Sequence, residues 1–202
     1  MSLPPNPEVQ TGWLGELQRL DEAVYVTIAH TPTPTLDGAM RRLTNAANYS
    51  RVSMASAVVL AVIGGPRGRR AAASGLTTVA LTSGVVNLLV KPLGRRRRPA
   101  REDHEEGRTR NVRMPTSASF PSGHTAAAFA FANAAGRVMP LSSVPLHTLA
   151  AVVGYSRVHT GVHYPGDVIA GAVIGSVIAD LSGETVDGAI NRTSTKHCSR
   201  SS

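Results

Sequence analysis

The chain has 202 residues, a formal net charge of +8 and an isoelectric point near 10.7. That length suits one domain with a real core, and the charge invites either nucleic acid or anionic lipid and phosphate compounds. Aromatic residues are only 4% of the total, too few for a base-stacking surface; the single cysteine, Cys198, rules out an internal disulfide and argues against a thiolate metal cluster.

Residues 1–10 carry three prolines and no apolar core, and read as a disordered arm rather than a secretory signal. Residues 11–30 set Trp13, Leu14, Leu17, Leu20, Ala23 and Val24 on one helical stripe, with Glu16, Arg19, Asp21 and Glu22 over much of the rest. This is an amphipathic helix, placed on a membrane surface or against the bundle. The string TPTPTLDGAM is expected to break it. An apolar helix is expected over 52–65, then a tight basic turn, PRGRR, over 66–70.

The stretch 71–90 runs without a charge. At 1.5 Å per residue its length is about 30 Å, the thickness of a bilayer core. It is rich in Ala, Ser and Thr, as suits a helix packed closely on other helices. The competing reading is a buried helix of a soluble protein, which a mean hydropathy of -0.02 alone would favour. Residues 52–90 thus form a helical hairpin, followed by a charged loop over 91–120. Further helices are expected from 121 to about 139, over 141–155 and over 167–180, with a short loop at 156–166 and a frayed polar tail after 180. Gly171 and Gly175 have the spacing of a helix-packing seam. The result is an all-α bundle of about five to six helices: an arm and amphipathic helix over 1–49, a core over 50–180 and a tail over 181–202. Counting crossings puts the loops 91–120 and 156–166 on one face.

Three segments on that face carry chemistry. Lys91 and Arg98-Pro99, six residues apart, stand at the end of an apolar helix. A cation there is either functional or an anchor for lipid headgroups. Pro121-Ser122-Gly123-His124 opens a helix whose first N–H groups have no helical acceptor, a ready anion site. His124 could donate a proton there, or be a solvated residue at a polar helix start. In YSRVHTGVHYPGD, Arg157, His163 and Asp167 combine a cation with a histidine that a carboxylate can orient. His159 competes for that role, and Asp167 could be a simple helix cap. Together the segments supply a cationic phosphate cradle, a nucleophilic base and an acid: a phosphoryl-transfer site needing neither metal nor other cofactor.

In order and spacing, Lys91-x6-Arg98-Pro99, Pro121-Ser122-Gly123-His124 and Ser156-Arg157-x5-His163-x3-Asp167 resemble the three-part signature of the type 2 phosphatidic acid phosphatase (PAP2) family. This family is related to vanadium haloperoxidases and bacterial acid phosphatases. The resemblance covers roughly residues 50–180 with every motif position present. It implies a membrane bundle with its site at one membrane face. His163 then resembles a nucleophile forming a phosphohistidine, Asp167 the holder of its imidazole and His124 the acid for the leaving alcohol. Lys91, Arg98, Ser122, Gly123 and Arg157 resemble phosphate ligands.

The implied partners are the bilayer and a lipid-phosphate substrate, with no nucleic acid. Strings such as YSRVHTGVHYPGD resemble actinobacterial members. Candidate substrates are phosphatidic acid, a polyprenyl diphosphate or decaprenyl-phosphoryl-phosphoribose, the last belonging to arabinan precursor synthesis. The rival functions are a non-catalytic anionic-lipid binder and a haloperoxidase-like oxidase. Lipid-type members keep this site extracytoplasmic, implying a plasma-membrane protein. The basic 66–70 segment and the C-terminal tail agree with that orientation, whereas the cations of the 91–120 loop oppose it by count. The segment from Arg101 to Arg110 is expected to be solvated and mobile.

Overall fold

The computed structural model describes residues 12–94, 96–100 and 110–198, without the side chains of Leu14 and of residues 191–198. The N-terminal arm, Arg95, most of the acidic and basic loop, the Cys198 side chain and the last four residues lie outside that description. Among the described residues the regular structure is all helical: α1 Trp13–His30, α2 Pro34–Ala46, α3 Arg51–Ile63, α4 Gly65–Val85, a single turn α5 Lys91–Leu93, α6 Gly123–Val138, α7 Ser143–His159 and α8 Pro165–Cys198.

TPTPTLDGAM breaks the first helix as expected, α1 ending at His30 with Thr31 extended, and from Pro34 the same string already forms α2. Pro34 occupies its first turn, where a missing N–H removes no helical bond. The PRGRR segment is not a turn but the opening of α4. The reversal between α3 and α4 falls instead at Gly64 and Gly65, the latter at φ +56°, a conformation glycine adopts without steric penalty. A methyl group on Gly68 would stand 1.8 Å from the Leu60 carbonyl oxygen, so the two helices leave the turn in backbone contact. At the other end, α4 passes through a wide π-helical turn, Val86–Val90, into α5. Lys91 therefore belongs to the last turn of this helix and not to the loop. Such wide turns re-aim the side chains beyond them and recur at functional sites.

The buried centre of the bundle is α6. Ala126, Ala127, Ala130, Phe131, Ala132, Ala134 and Ala135 are all buried. Their small side chains let α4, α7 and α8 close around this helix, with Leu60, Val79, Leu146 and Ala150 completing the core. The glycine seam lies between α8 and α6: a methyl on Gly171 would meet the Ser122 carbonyl at 2.5 Å, and one on Gly175 the Ala126 carbonyl at 2.1 Å. Only a helix without side chains at those positions can approach so closely.

Outward, α8 presents Ile169, Val173, Val177 and Leu181, α4 presents Leu76 and Leu81, the π-helical turn after it Leu88 and Leu89, and α3 presents Val58, Val62 and Ile63. This apolar belt is the reverse of a soluble surface. The segments Gly65–Leu93 and Pro165–Ile190 are long and apolar enough to cross a membrane, and α2 with Asn48–Ile63, bent by 72°, can form a third span. α8 also runs on through Cys198 instead of ending near residue 180.

Candidate active site

The three sequence segments meet at one end of the bundle. α8 begins at Pro165, and Asp167 in its first turn accepts the Tyr164 N–H at 2.9 Å. Asp167 is thus a helix cap, as one reading of the sequence had it. The same carboxylate also lies 3.5 Å from Nδ1 of His163 and accepts the hydroxyl of Ser119. The Asp167 side chain is fully buried and His163 is 2% exposed. A buried carboxylate on the Nδ1 side favours the tautomer with its proton on Nδ1. Nε2 is then left as the acceptor, and it lies 3.3 Å from Nη1 of Arg98.

Arg98 also donates to the carbonyls of Val162 at 2.6 Å and Ser117 at 2.9 Å. Lys91 and Arg98 both approach the Ser117 hydroxyl at 3.3 Å. Arg157 is 2% exposed. Its Nη2 reaches Asn48 at 3.3 Å, while its buried Nε has no hydrogen-bond partner among the described residues. The backbone carbonyl of Arg157 receives the N–H groups of Val162 and His163, which fixes the tight loop carrying the histidine. Burial first, and then the positive charge of Arg157, His163, Lys91 and Arg98, lowers the pKa of His124, in the first turn of α6, to about 2.

Two details of the predicted cradle change. Pro121 precedes α6, which starts at Gly123 with Ser122 as its cap. The Ser122 N–H is already bonded to the Asp167 backbone carbonyl at 2.9 Å, and its hydroxyl lies 2.9 Å from that of Thr125. The open donors at this helix end are those of Gly123 and His124, by the geometry of a first turn.

His159, the competing histidine, points elsewhere. It is buried against Asp37 of α2 at 3.0 Å, and the same carboxylate meets Arg110 at 2.8 Å and Thr33 at 2.8 Å. Arg110, expected in a solvated segment, is 5% exposed and donates to the carbonyls of Ile28, Ala29 and Thr31 at the end of α1. His159→Gln is therefore expected to lower the melting temperature in detergent, while leaving turnover per folded molecule within about tenfold of the parent. Thermal unfolding and phosphate release measured on one preparation check both halves.

Ser117, Ser119, Asn48 and Arg96 escaped the sequence reading. Their partners are 19 to 109 residues distant in the chain, and no local spacing signals such pairs. The one available hint lies in GRRRRP: a non-helical chain presents alternate residues to one side, and Arg96 and Arg98 are the inward ones, with Arg97 exposed.

A cluster of cations around a carboxylate-oriented histidine, set at the end of a lipid-facing helical bundle, defines a membrane protein built to hold a phosphate ester. The PAP2 superfamily model matches residues 71–184, and the chain belongs to that family. It is an integral membrane phosphatase, a phosphoric ester hydrolase. Over 134 residues it is 37% identical to the decaprenylphosphoryl-5-phosphoribose phosphatase of Mycobacterium tuberculosis, covering 61% of this chain and 68% of that one. It is 38% identical over 104 residues to the lipid A 1-phosphatase of Rhizobium etli, covering 49% and 43% respectively. The fold is that of the transmembrane PAP2 type phosphatidylglycerolphosphate phosphatase of Bacillus subtilis, with a TM-score of 0.60, 22% identity and coverage of 88% and 87%.

Proposed function

We propose that the protein removes a terminal phosphate from a lipid-linked substrate through a phosphohistidine on His163. The observation that carries this reading is the pairing of Nε2 of His163 with the Arg98 guanidinium, beside an Arg157 whose buried Nε lacks a partner among the described residues. A phosphoryl group between them would satisfy both cations and meet the histidine lone pair. Lys91 and the N–H groups of Gly123 and His124 complete the cradle, and Ser122 shapes it as the cap of α6.

In the first step Nε2 attacks phosphorus, the P–O bond to the lipid alcohol breaks, and His124, protonated once the phosphate dianion offsets the surrounding cations, gives its proton to the departing oxygen. In the second, water attacks the phosphohistidine, His124 takes the water proton, and inorganic phosphate leaves. Asp167 stabilises the positive charge that His163 acquires. The lipid tail remains among the apolar helices while the headgroup enters the cationic pocket. Decaprenyl-phosphoryl-phosphoribose is the substrate favoured, because the relative named for it is 37% identical over 61% of the chain, against 49% of the chain for the lipid A 1-phosphatase.

The site is read as facing the extracytoplasmic side of the plasma membrane. Arg67, Arg69 and Arg70 stand at the opposite end of the α4 span from Lys91, and a basic cluster marks a cytoplasmic end.

The test is phosphate release by purified protein, with EDTA present, from decaprenyl-phosphoryl-phosphoribose, phosphatidic acid, phosphatidylglycerol phosphate, lipid A 1-phosphate and a prenyl diphosphate. Turnover of a lipid phosphate is expected, and inactivity on the whole panel contradicts the reading.

The site also sets a pH dependence. Burial, the largest influence, together with Arg98 and Arg157 lowers the pKa of His163 beneath the ordinary 6.5, against the opposing pull of Asp167. The nucleophile must be neutral, so activity persists above that lowered value and is lost as pH falls through it. With the substrate's own second ionisation divided out, the acid limb of kcat/KM is expected below pH 6.5. A limb above neutrality contradicts this assignment.

A further inference from the structure

Asp167 has a second oxygen, and its partner is one of the unassigned positions between Lys91 and Arg98 in the first sequence segment. Oδ1 accepts from Nη1 of Arg96 at 3.0 Å. The same Nη1 lies 2.6 Å from a carboxylate oxygen of Asp21, in the middle of α1. The other Asp21 oxygen receives the N–H of Gly166 at 2.7 Å, in the first turn of α8. A methyl group on Gly166 would stand 2.9 Å from that carboxylate, so the approach of α1 is close. The Arg96 guanidinium lies 4.0 Å over the ring of Tyr164, which meets Tyr25 of α1 edge-on at 5.4 Å. Arg110 fastens the far end of α1 through its terminal carbonyls. The helix thus turns Asp21 and Tyr25 toward the site while Trp13, Leu17, Leu20 and Val24 stay exposed on the outside.

This arrangement has an electrostatic consequence. Burial opposes the charge of Arg96, but Asp21 and Asp167 more than offset it and raise its pKa, so it is a permanent cation. A permanent cation on Oδ1 fixes the carboxylate plane. It also withdraws part of the negative charge that would otherwise fall on His163, which is faced in addition by Arg98, Arg157 and His124.

We propose that Arg96 and Asp21 are a positioning pair for the phosphatase reaction: Arg96 pins Oδ1 of Asp167 so that Oδ2 stays aimed at Nδ1 of His163, and Asp21 holds Arg96 and the start of α8 in register. This rests on the assignment of His163 as nucleophile. It makes α1 part of the active site, where the sequence shows an amphipathic helix placed on a membrane surface or against the bundle.

The test compares Arg96→Gln, Arg96→Lys, Asp21→Asn and the Arg96→Gln/Asp21→Asn double variant, with His163→Ala in the same set. The substrate is the lipid phosphate of the panel above with the highest parent turnover. Arg96→Gln is expected to lower kcat by about 10- to 100-fold, the usual effect of removing a group that orients an active-site ligand. KM should stay within about threefold, and the acid limb of the kcat/KM profile should move to higher pH as the Asp167 charge falls undivided on His163. Arg96→Lys should restore most of kcat. Asp21→Asn, which keeps the size of the side chain, should lower kcat by roughly tenfold, and the double variant should be no worse than Arg96→Gln alone, as expected for residues acting through one network.

An unchanged kcat in both single variants, a rise in KM alone or strictly multiplicative losses would overturn the proposal. So would Arg96→Gln losing activity with no displacement of the acid limb. If His163→Ala retains turnover, the nucleophile assignment itself fails. If His163→Ala is inactive and Arg96→Gln is normal, the positioning pair alone fails.

Discussion

Replacing His163 with alanine is expected to reduce phosphate release from the lipid substrate by about 10⁴-fold or more, the scale on which removal of an activated nucleophile acts. The imidazole is held on one side by Asp167 and Ser119 and opens on the other toward Arg98. Neither His159 nor His124 can substitute: His159 is committed to Asp37 on the α2 side of α7, and His124 is required for the proton. The cationic pocket should survive the change, because Arg157 and Lys91 are held by Asn48 and Ser117, not by His163. Kinetics and vanadate binding on His163→Ala therefore separate lost chemistry from lost folding. Turnover should vanish while the anion still binds.

His124→Asn carries the second large effect, and its size should depend on the leaving group. Expulsion of an alkoxide needs a proton in the transition state, and a positioned acid contributes about 10² to 10⁴ in rate. With a lipid phosphate the variant should lose activity in that range. With p-nitrophenyl phosphate, whose phenolate departs without protonation, formation of the phosphohistidine should slow by less than about tenfold. Burst kinetics with the two substrates measure this difference. Equal losses on both would show that His124 binds the phosphoryl group and does not act as an acid.

The parts of this architecture written in local pattern were legible in the sequence. The stripe of α1, the charge-free run of α4 and the glycine seam of α8 each follow from residues three to four apart, the periodicity by which helices bury a face. Pro34 and Pro66, each of which stands in the first turn of a helix, show the limit of that approach. TPTPT carries the same residues whether it ends one helix or begins the next, and Pro34 begins α2 because α2 packs on α7. The end of α8 was misread for a related reason: polar composition after Asp180 resembles a tail, yet Asp187 reaches Ser74 of α4 at 2.7 Å.

Within the site, each motif position was legible by residue type, and the supporting residues were not. Ser119 looks like any loop serine until Asp167, 48 residues away, accepts its hydroxyl. Arg96 is one arginine in a run of four, and only the fold determines which of them is buried against carboxylates.

The most direct test of the central claim is isolation of the phosphoenzyme. Parent protein and His163→Ala are mixed with ³²P-labelled lipid phosphate, quenched in alkali within a single turnover, and the labelled peptides are mapped by mass spectrometry. The mechanism predicts an alkali-stable, acid-labile phosphoryl group on His163, absent from the variant. Single-turnover phosphate release with no labelled protein, or a label on any other residue, would contradict it.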